Sequence, residues 1–179
     1  ALAAALDASR KSPEPKVVMF LTGRQSQHRI VVETVRRINE KLDSETGKIR
    51  LVDLIGQQGM CINEIRHEHR ALFSRLCADK RGSRTCKPWL ADSELIRPRI
   101  LHDPLHVDEL VSLCEGRDDE KPYGICPWKV ARESASYADI VVCDYNHIFV
   151  EAVRESSLSA MGLELEDIIL VVDEAHNLP

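Results

Sequence analysis

Two carboxylates at the end of an apolar run carry the clearest chemistry in this chain. Ile168-Ile169-Leu170-Val171-Val172 leads directly into Asp173-Glu174-Ala175-His176. Such a run reads as a buried parallel strand, and acids at its carboxyl end lie where open α/β sheets bind ligands. In phosphoryl-transfer sites an aspartate there holds the Mg²⁺ of a nucleotide, and a neighbouring carboxylate orients the attacking water. The competing reading is a helix N-terminus, which also favours acids.

The second chemical resource is thiol. Six cysteines stand at 61, 77, 86, 114, 126 and 143. No charged segment followed by an apolar stretch opens the chain, so it reads as not secreted, and its thiols are expected reduced. Metal or core roles therefore outrank disulfides. Cys143 closes the strand-like run Ile140-Val141-Val142-Cys143 and reads as a small buried hydrophobe. The other five span 61 to 126 with no Cys-x-x-Cys pair, the knuckle of most structural zinc sites. Wide, irregular spacing suits an iron–sulfur cluster held by four thiolates from separate loops, with zinc or simple packing as alternatives. His67, His69, His102 and His106 read as surface or packing residues.

These groups need a scaffold, and the pattern of apolar residues supplies one. Ala1 to Lys11 has high helix propensity, and Ser12-Pro13-Glu14-Pro15 stops it. Lys16 to Leu21 reads as a strand. Gln25 to Leu42 carries apolar residues at 31, 35, 38 and 42, a helical stripe, and Ile49 to Ile55 reads as a second strand. Strand, helix, strand at this spacing predicts a parallel sheet. From Gly56 the rhythm breaks into short polar helices and loops, with a helix over Val107 to Leu113. It resumes with a helix over Pro127 to Ser136, a strand over Ile140 to Cys143, a helix over Asn146 to Ser156 and the final strand. The fold class expected is α/β, with three parts: 1–55 and 128–179 as one doubly wound domain, and 56–127 as a small, mostly helical or irregular insertion.

Charge divides that insertion. Residues 62–99 hold nine Lys/Arg against five Asp/Glu, whereas residues 100–125 hold two against seven. Lys80, Arg81, Arg84 and Lys87 crowd around Cys86, beside Trp89. Such a patch can follow phosphates while the indole stacks on an unpaired base. The alternative is a solvated charged face with a half-buried tryptophan. The whole chain carries a net charge of −5, which excludes a wholly cationic coat protein but leaves room for a local basic groove. No apolar run approaches the roughly 20 residues needed to cross a bilayer, so no membrane role is expected.

In shared order, several segments resemble the XPD family of iron–sulfur DNA helicases. Leu21-Thr22-Gly23-Arg24-Gln25-Ser26-Gln27-His28 is similar to the family's motif Ia. Gly56-Gln57-Gln58-Gly59-Met60-Cys61 resembles the entry to its cluster domain. Gly124-Ile125-Cys126-Pro127-Trp128 resembles the exit, followed by Ala131-Arg132. Tyr145-Asn146-His147 and the DEAH box at Asp173-Glu174-Ala175-His176 complete the order.

The resemblance spans roughly residues 16 to 179 and implies a P-loop NTPase-like (RecA-like) motor segment carrying a 4Fe-4S domain. It implies Cys61 and Cys126 as first and last cluster ligands, Cys77 and Cys86 as the middle pair, and Cys114 as a spectator. It further implies Asp173 on Mg²⁺, Glu174 on the attacking water, His176 coupling the ATP site to the motor, and Thr22 and Arg24 on a single-strand backbone. The partners implied are single-stranded and forked DNA, along with unidentified proteins of a repair complex. The compartment implied is nuclear in a eukaryote or cytoplasmic in a prokaryote. No Gly-x-x-x-x-Gly-Lys-Ser/Thr loop occurs, so the chain is expected to start just after one and to lack ATP turnover by itself. Gln57 stands where the family often has a basic residue. The reading from another class is a non-enzymatic, zinc- or cluster-stabilised DNA-binding module.

Overall fold

A computed structural model describes residues 1–42, 47–115 and 124–178. Four strands form one parallel sheet: β1 (Val17–Leu21), β2 (Leu51–Asp53), β3 (Ile140–Cys143) and β4 (Ile168–Val172), in spatial order β2-β3-β1-β4. The helices are α1 (Leu2–Lys11), α2 (Gln25–Asn39), α3 (Arg70–Gly82), α4 (Lys87–Leu90), α5 (Arg97–His102), α6 (Val107–Cys114), α7 (Pro127–Ser134), α8 (Asn146–Phe149) and α9 (Glu151–Met161).

Alternation along the strands feeds two cores. Val18, Leu51, Ile140 and Val142 point to one face and pack on Leu6 of α1 and Val31, Val32 and Val35 of α2. Met19, Leu21, Val52, Val141 and Cys143 point to the other, against Ile100, Leu110, Val130 and Met161 from α5, α6, α7 and α9. Side chains of period two, with helices on both faces, are what a doubly wound parallel sheet requires. Each fully buried aliphatic residue contributes about 1.5–3 kcal/mol. Cys143 is fully buried among these residues.

Several boundaries differ from the sequence pattern. Helix α2 ends at Asn39, not at residue 42, because the Asn39 amide turns back to the chain leading into β2. Its Nδ2 donates to the Ile49 carbonyl at 2.9 Å and its Oδ1 accepts from the Ile49 N–H at 2.8 Å. The helix expected over 146–156 is broken at Val150, whose backbone is extended (φ −97°, ψ 109°). The break is repaired locally: Arg154 N–H donates to Val150 O, and the Arg154 guanidinium caps Ile148 O. The strand expected over 49–55 is regular only at Leu51–Asp53, although Leu54 N–H still reaches Val142 O. Helix α7 gives way after Ser134 to a single 3₁₀ turn at Ala135–Tyr137.

The largest difference lies in the segment read as one insertion. Helix α3, not anticipated at this length, carries Phe73 and Cys77 on its buried side. Together with Cys61 and Ile65 these form a small apolar cluster of their own. Helices α5 and α6 instead join the sheet's larger core through Ile100, Val107 and Leu110. By packing, the described residues of this segment, 56–115 and 124–127, form a cysteine-bearing part and a part that covers the sheet.

The Asn39 clamp gives a direct check. Asn39→Ala strands two buried backbone groups of Ile49, so the chain is expected to lose about 2–3 kcal/mol of stability. Urea unfolding measures this, and a loss below about 0.5 kcal/mol would show the clamp to be dispensable.

Candidate functional site

Parallel strands deliver their carboxyl ends to one edge of the sheet. There Thr22 N–H donates to Cys143 O at 3.0 Å and Asp173 N–H donates to Leu21 O at 2.9 Å. The residues following β1, β3 and β4 are thus held side by side. Asp173 is partly exposed at this edge. Glu174 is exposed and adopts the left-handed conformation (φ 49°, ψ 46°), which is uncommon for a residue with a Cβ. His176 is also exposed, its Nδ1 3.3 Å from Glu174 Oε2.

Tyr145 crosses this edge. Its hydroxyl donates to the Asp173 carbonyl and lies 3.5 Å from the Glu174 carbonyl. Nothing in composition or spacing assigned it such a bond, which depends on strands brought together from 28 residues apart.

A cleft runs from the residues that follow β1 and β3 to the Gly56–Gly59 turn that precedes Cys61. Gly23, Arg24 and Gln25 line one wall. Gly56 to Gly59, Arg70, Trp128 and Asn146 line the rest. Thr22, expected at a nucleic acid, lies buried at its floor with its hydroxyl donated to Gln27 Oε1. It holds the turn, and Arg24 is the exposed member of the pair.

The four cysteines implied as cluster ligands are brought together. Cys61, Cys77, Cys86 and Cys126 line one space, with no carboxylate or imidazole among the described residues of its walls. Cys61 follows the Gly56–Gly59 turn, and Cys77 faces inward from α3. Cys86 and Cys126 each immediately precede a helix, α4 and α7, that has proline in its first turn. A backbone bond from Cys126 N–H to Pro88 O (2.9 Å) joins these two segments. Among the described residues no three Cys, His, Asp or Glu side chains close on a single ion position.

Burial pushes the thiols of Cys61 and Cys77 above their ordinary range, and that of Cys126 up to about 11. The neighbouring thiols add to the shift, since each thiolate disfavours the next. Asn63 and Arg66 offset part of this at Cys61, and Arg81 does so at Cys77. Amide donors also reach sulfur: Gln57 Nε2 lies 3.3 Å from Cys77 Sγ, and Asn63 Nδ2 lies 3.5 Å from Cys86 Sγ. Gln57, where the family often has a cation, thus serves a sulfur here. Cys114 does not line this space. It is buried at the end of α6 with its thiol pushed up to about 12 by desolvation, Cys126 being the nearest thiol that affects it.

The basic residues of the insertion separate by role. Arg84 and Lys87 are exposed, Arg84 in the left-handed region (φ 57°). Lys80 borders the cysteine space. Arg81 is turned inward over Trp89, 4.9 Å from the ring centroid, and 5.9 Å from that of Trp128. Trp128 also carries Arg132 at 4.1 Å, and the two indoles lie 6.2 Å apart. Trp89 is half-buried and has Arg81 on its ring, so it joins the cysteine part to α7. Burial lowers the Arg132 guanidinium to about 10.

The chain thus combines a parallel α/β domain, carboxylates at a strand end, and four cysteines that line one space. An XPD helicase of known structure shares this fold over 98% of this chain and 27% of its own, with a TM-score of 0.53 at 19% identity. The profile of the DEAD_2 family matches residues 20–179, and the chain belongs to that family. Similar curated proteins include the ATP-dependent DNA helicase chl1 of Schizosaccharomyces pombe, 29% identical over 95% of this chain and 19% of that protein. The ATP-dependent DNA helicase CHL1 of Eremothecium gossypii is 40% identical over 75% of this chain and 16% of its own length. The mouse ATP-dependent DNA helicase DDX11 is 27% identical over 79% and 17%. The chain spans about a fifth or less of the length of these relatives.

His147, on α8 beside the cleft, offers a pH check. Burial lowers it to about 4, against a raising effect from Asp144 and with Arg132 and His28 adding to the lowering; its Nδ1 is 2.6 Å from Ser157 Oγ. The unfolded chain takes up this proton near pH 6.5 and the folded chain only near 4, so stability falls as pH drops through that window. Wild type is expected to lose about 2–3 kcal/mol more than His147→Asn between pH 7 and pH 4. Equal losses in denaturant titrations would remove His147 as the cause.

Proposed function

We propose that this chain is part of the first motor domain of an ATP-dependent DNA helicase of the DEAH-box, superfamily-two type, which moves along single-stranded DNA and opens forked duplex in DNA repair. The observation that carries the reading is that Cys61, Cys77, Cys86 and Cys126 line one space, in a chain whose Asp173 and Glu174 follow β4 at the carboxyl edge of the parallel sheet. Those cysteines would hold a 4Fe-4S cluster: the donor set is all thiol, and the amides of Gln57 and Asn63 lie against its sulfurs. The cluster supplies iron–thiolate bonds that tie separate loops together. Asp173 would bind the Mg²⁺ of ATP, Glu174 would polarise the attacking water, and His176 would link the two to the rest of the motor. Arg24 at the cleft, with Lys80, Arg84 and Lys87 at the cysteine rim, would follow phosphates. Thr22, Arg81 and Trp89 would support those contacts from behind.

Among the described residues no helix is long and apolar enough to cross a membrane. The named relatives are eukaryotic DNA helicases, which favours a nuclear location.

Metal analysis of anaerobically purified protein tests the cluster. About four iron and four sulfide per chain are expected, with a brown colour. Cys61→Ser and Cys126→Ser should bleach it, whereas Cys114→Ser and Cys143→Ser should not. One zinc and no sulfide would overturn the assignment.

A further inference from the structure

Glu174 stands in a backbone conformation that a side-chain-bearing residue rarely adopts without outside support. The support visible is the Tyr145 hydroxyl, which donates to the Asp173 carbonyl and approaches the Glu174 carbonyl at 3.5 Å. These carbonyls belong to the peptides before and after the Glu174 α-carbon, so one hydroxyl bears on both of its backbone rotations.

The tyrosine ring is fixed from the opposite side. It lies across Gly23, where an added Cβ would come within 3.1 Å of Tyr145 Cε2. Gly23 begins the turn that presents Arg24 and Gln25 to the cleft. Tyr145 is anchored in turn directly after β3, where His147 N–H donates to Asp144 O at 3.1 Å. One side chain therefore touches the turn at the cleft with its ring and the carboxylate-bearing turn with its hydroxyl.

We infer that Tyr145 is a positioning residue: it holds the Glu174 backbone so that the carboxylate faces the nucleotide, and it ties that orientation to the Gly23-Arg24 turn. The inference rests on the reading of Glu174 as the water-polarising group. On this account nucleic acid that moves the Gly23 turn also moves the ring, and the hydroxyl carries the displacement to Glu174. A residue that merely filled space would need the ring alone. Here the oxygen is the working atom.

The test uses the full-length enzyme, with ATP hydrolysis measured with and without single-stranded DNA. Tyr145→Phe keeps the ring and removes the oxygen. Its DNA-stimulated kcat is expected to fall about ten-fold, the scale of a slightly misplaced catalytic group. KM for ATP should stay within about two-fold, because binding contacts are untouched. Stimulation by DNA should shrink with kcat, while single-strand affinity and the melting temperature stay near wild type. Gly23→Ala presses on the ring from the other side and should reduce stimulation in the same direction; it also serves where Tyr145→Phe fails to accumulate as folded protein. Wild-type kcat and stimulation in either folded variant, or a loss seen only in melting temperature, would overturn the inference. Glu174→Gln is run alongside. Wild-type turnover in Glu174→Gln defeats the underlying reading, whereas an inactive Glu174→Gln with an unaffected Tyr145→Phe defeats only the role given to Tyr145.

Discussion

A fully buried carboxylate, that of Asp53, organises the molecule. It lies at the end of β2 with its side chain wholly out of solvent, where an unpaired charge would be prohibitive. Its two oxygens are taken up from opposite directions. His28 Nδ1 of α2 lies 2.5 Å from one, and Val107 N–H at the start of α6 donates to the other at 2.8 Å. Helix α2 carries the Gly23-Arg24 turn at its start, and α6 runs back toward Cys126. One carboxylate therefore sets the sheet, the cleft wall and the return from the cysteine region in register. Exposed pairs reinforce the joint: Arg29 with Asp108, and Arg36 with Glu109 and the Pro104 carbonyl. The buried pairing fixes geometry, because breaking it leaves an isolated charge, whereas the surface pairs each contribute little.

From that joint the cysteine region gains its second attachment. Arg81, Trp89, Trp128 and Arg132 form a run of ring and guanidinium contacts from α3 to α7, and the Arg132 guanidinium donates to the Ser156 carbonyl within α9. Cation–π contacts of partly desolvated arginines hold more strongly than exposed ones. They also place cationic planes beside the space that the thiols line. Of the cations around Cys86, Arg81 thus packs inward toward Arg132 of α7, whereas Arg84 and Lys87 face water.

Much of this was legible in the sequence where the signal is local. The runs at 17–21 and 140–143 announce strands because both sheet faces are buried there, and the α2 stripe follows from period alone. The run at 168–172 reads as a buried strand, but β4 is the sheet's edge strand, with Ile168 buried and Leu170 exposed. Cys61, Cys77, Cys86 and Cys126 are singled out only by the resemblance to the XPD family, and all four line one space. Helix α3 could have been read from Leu72, Phe73, Leu76 and Cys77, which share one helical face, but its many arginines disguised the stripe. Other features were invisible for a physical reason. The break at Val150 is compensated by bonds from Arg154, and the packing of α5 and α6 on the sheet is a tertiary choice that leaves no periodic mark in eight residues or fewer. The pairing of His28 with Asp53, and of Tyr145 with the Asp173 carbonyl, joins residues distant in sequence, so no window along the chain contains both partners.

The exit from the cysteine region shows how tightly one glycine can bind these levels together. Ile125 N–H donates to Cys114 O at 2.9 Å, which draws the returning chain against the last turn of α6. At Gly124 the backbone is left-handed (φ 61°), and a Cβ there would stand 2.3 Å from the same Cys114 carbonyl. No side chain fits, so Gly124 is demanded twice, by conformation and by approach. Two residues on, Cys126 precedes α7, and Pro127 fills a position whose N–H has no helical partner. The order Gly-x-Cys-Pro is thus a mechanical requirement: close approach, then thiol, then helix. Because α6 is fixed by Asp53 and α7 is built into the sheet's core, Cys126 is placed by elements packed on the sheet, while Cys77 is placed by α3. The space these cysteines line therefore lies where the sheet's core meets the small cluster of Cys61, Phe73 and Cys77.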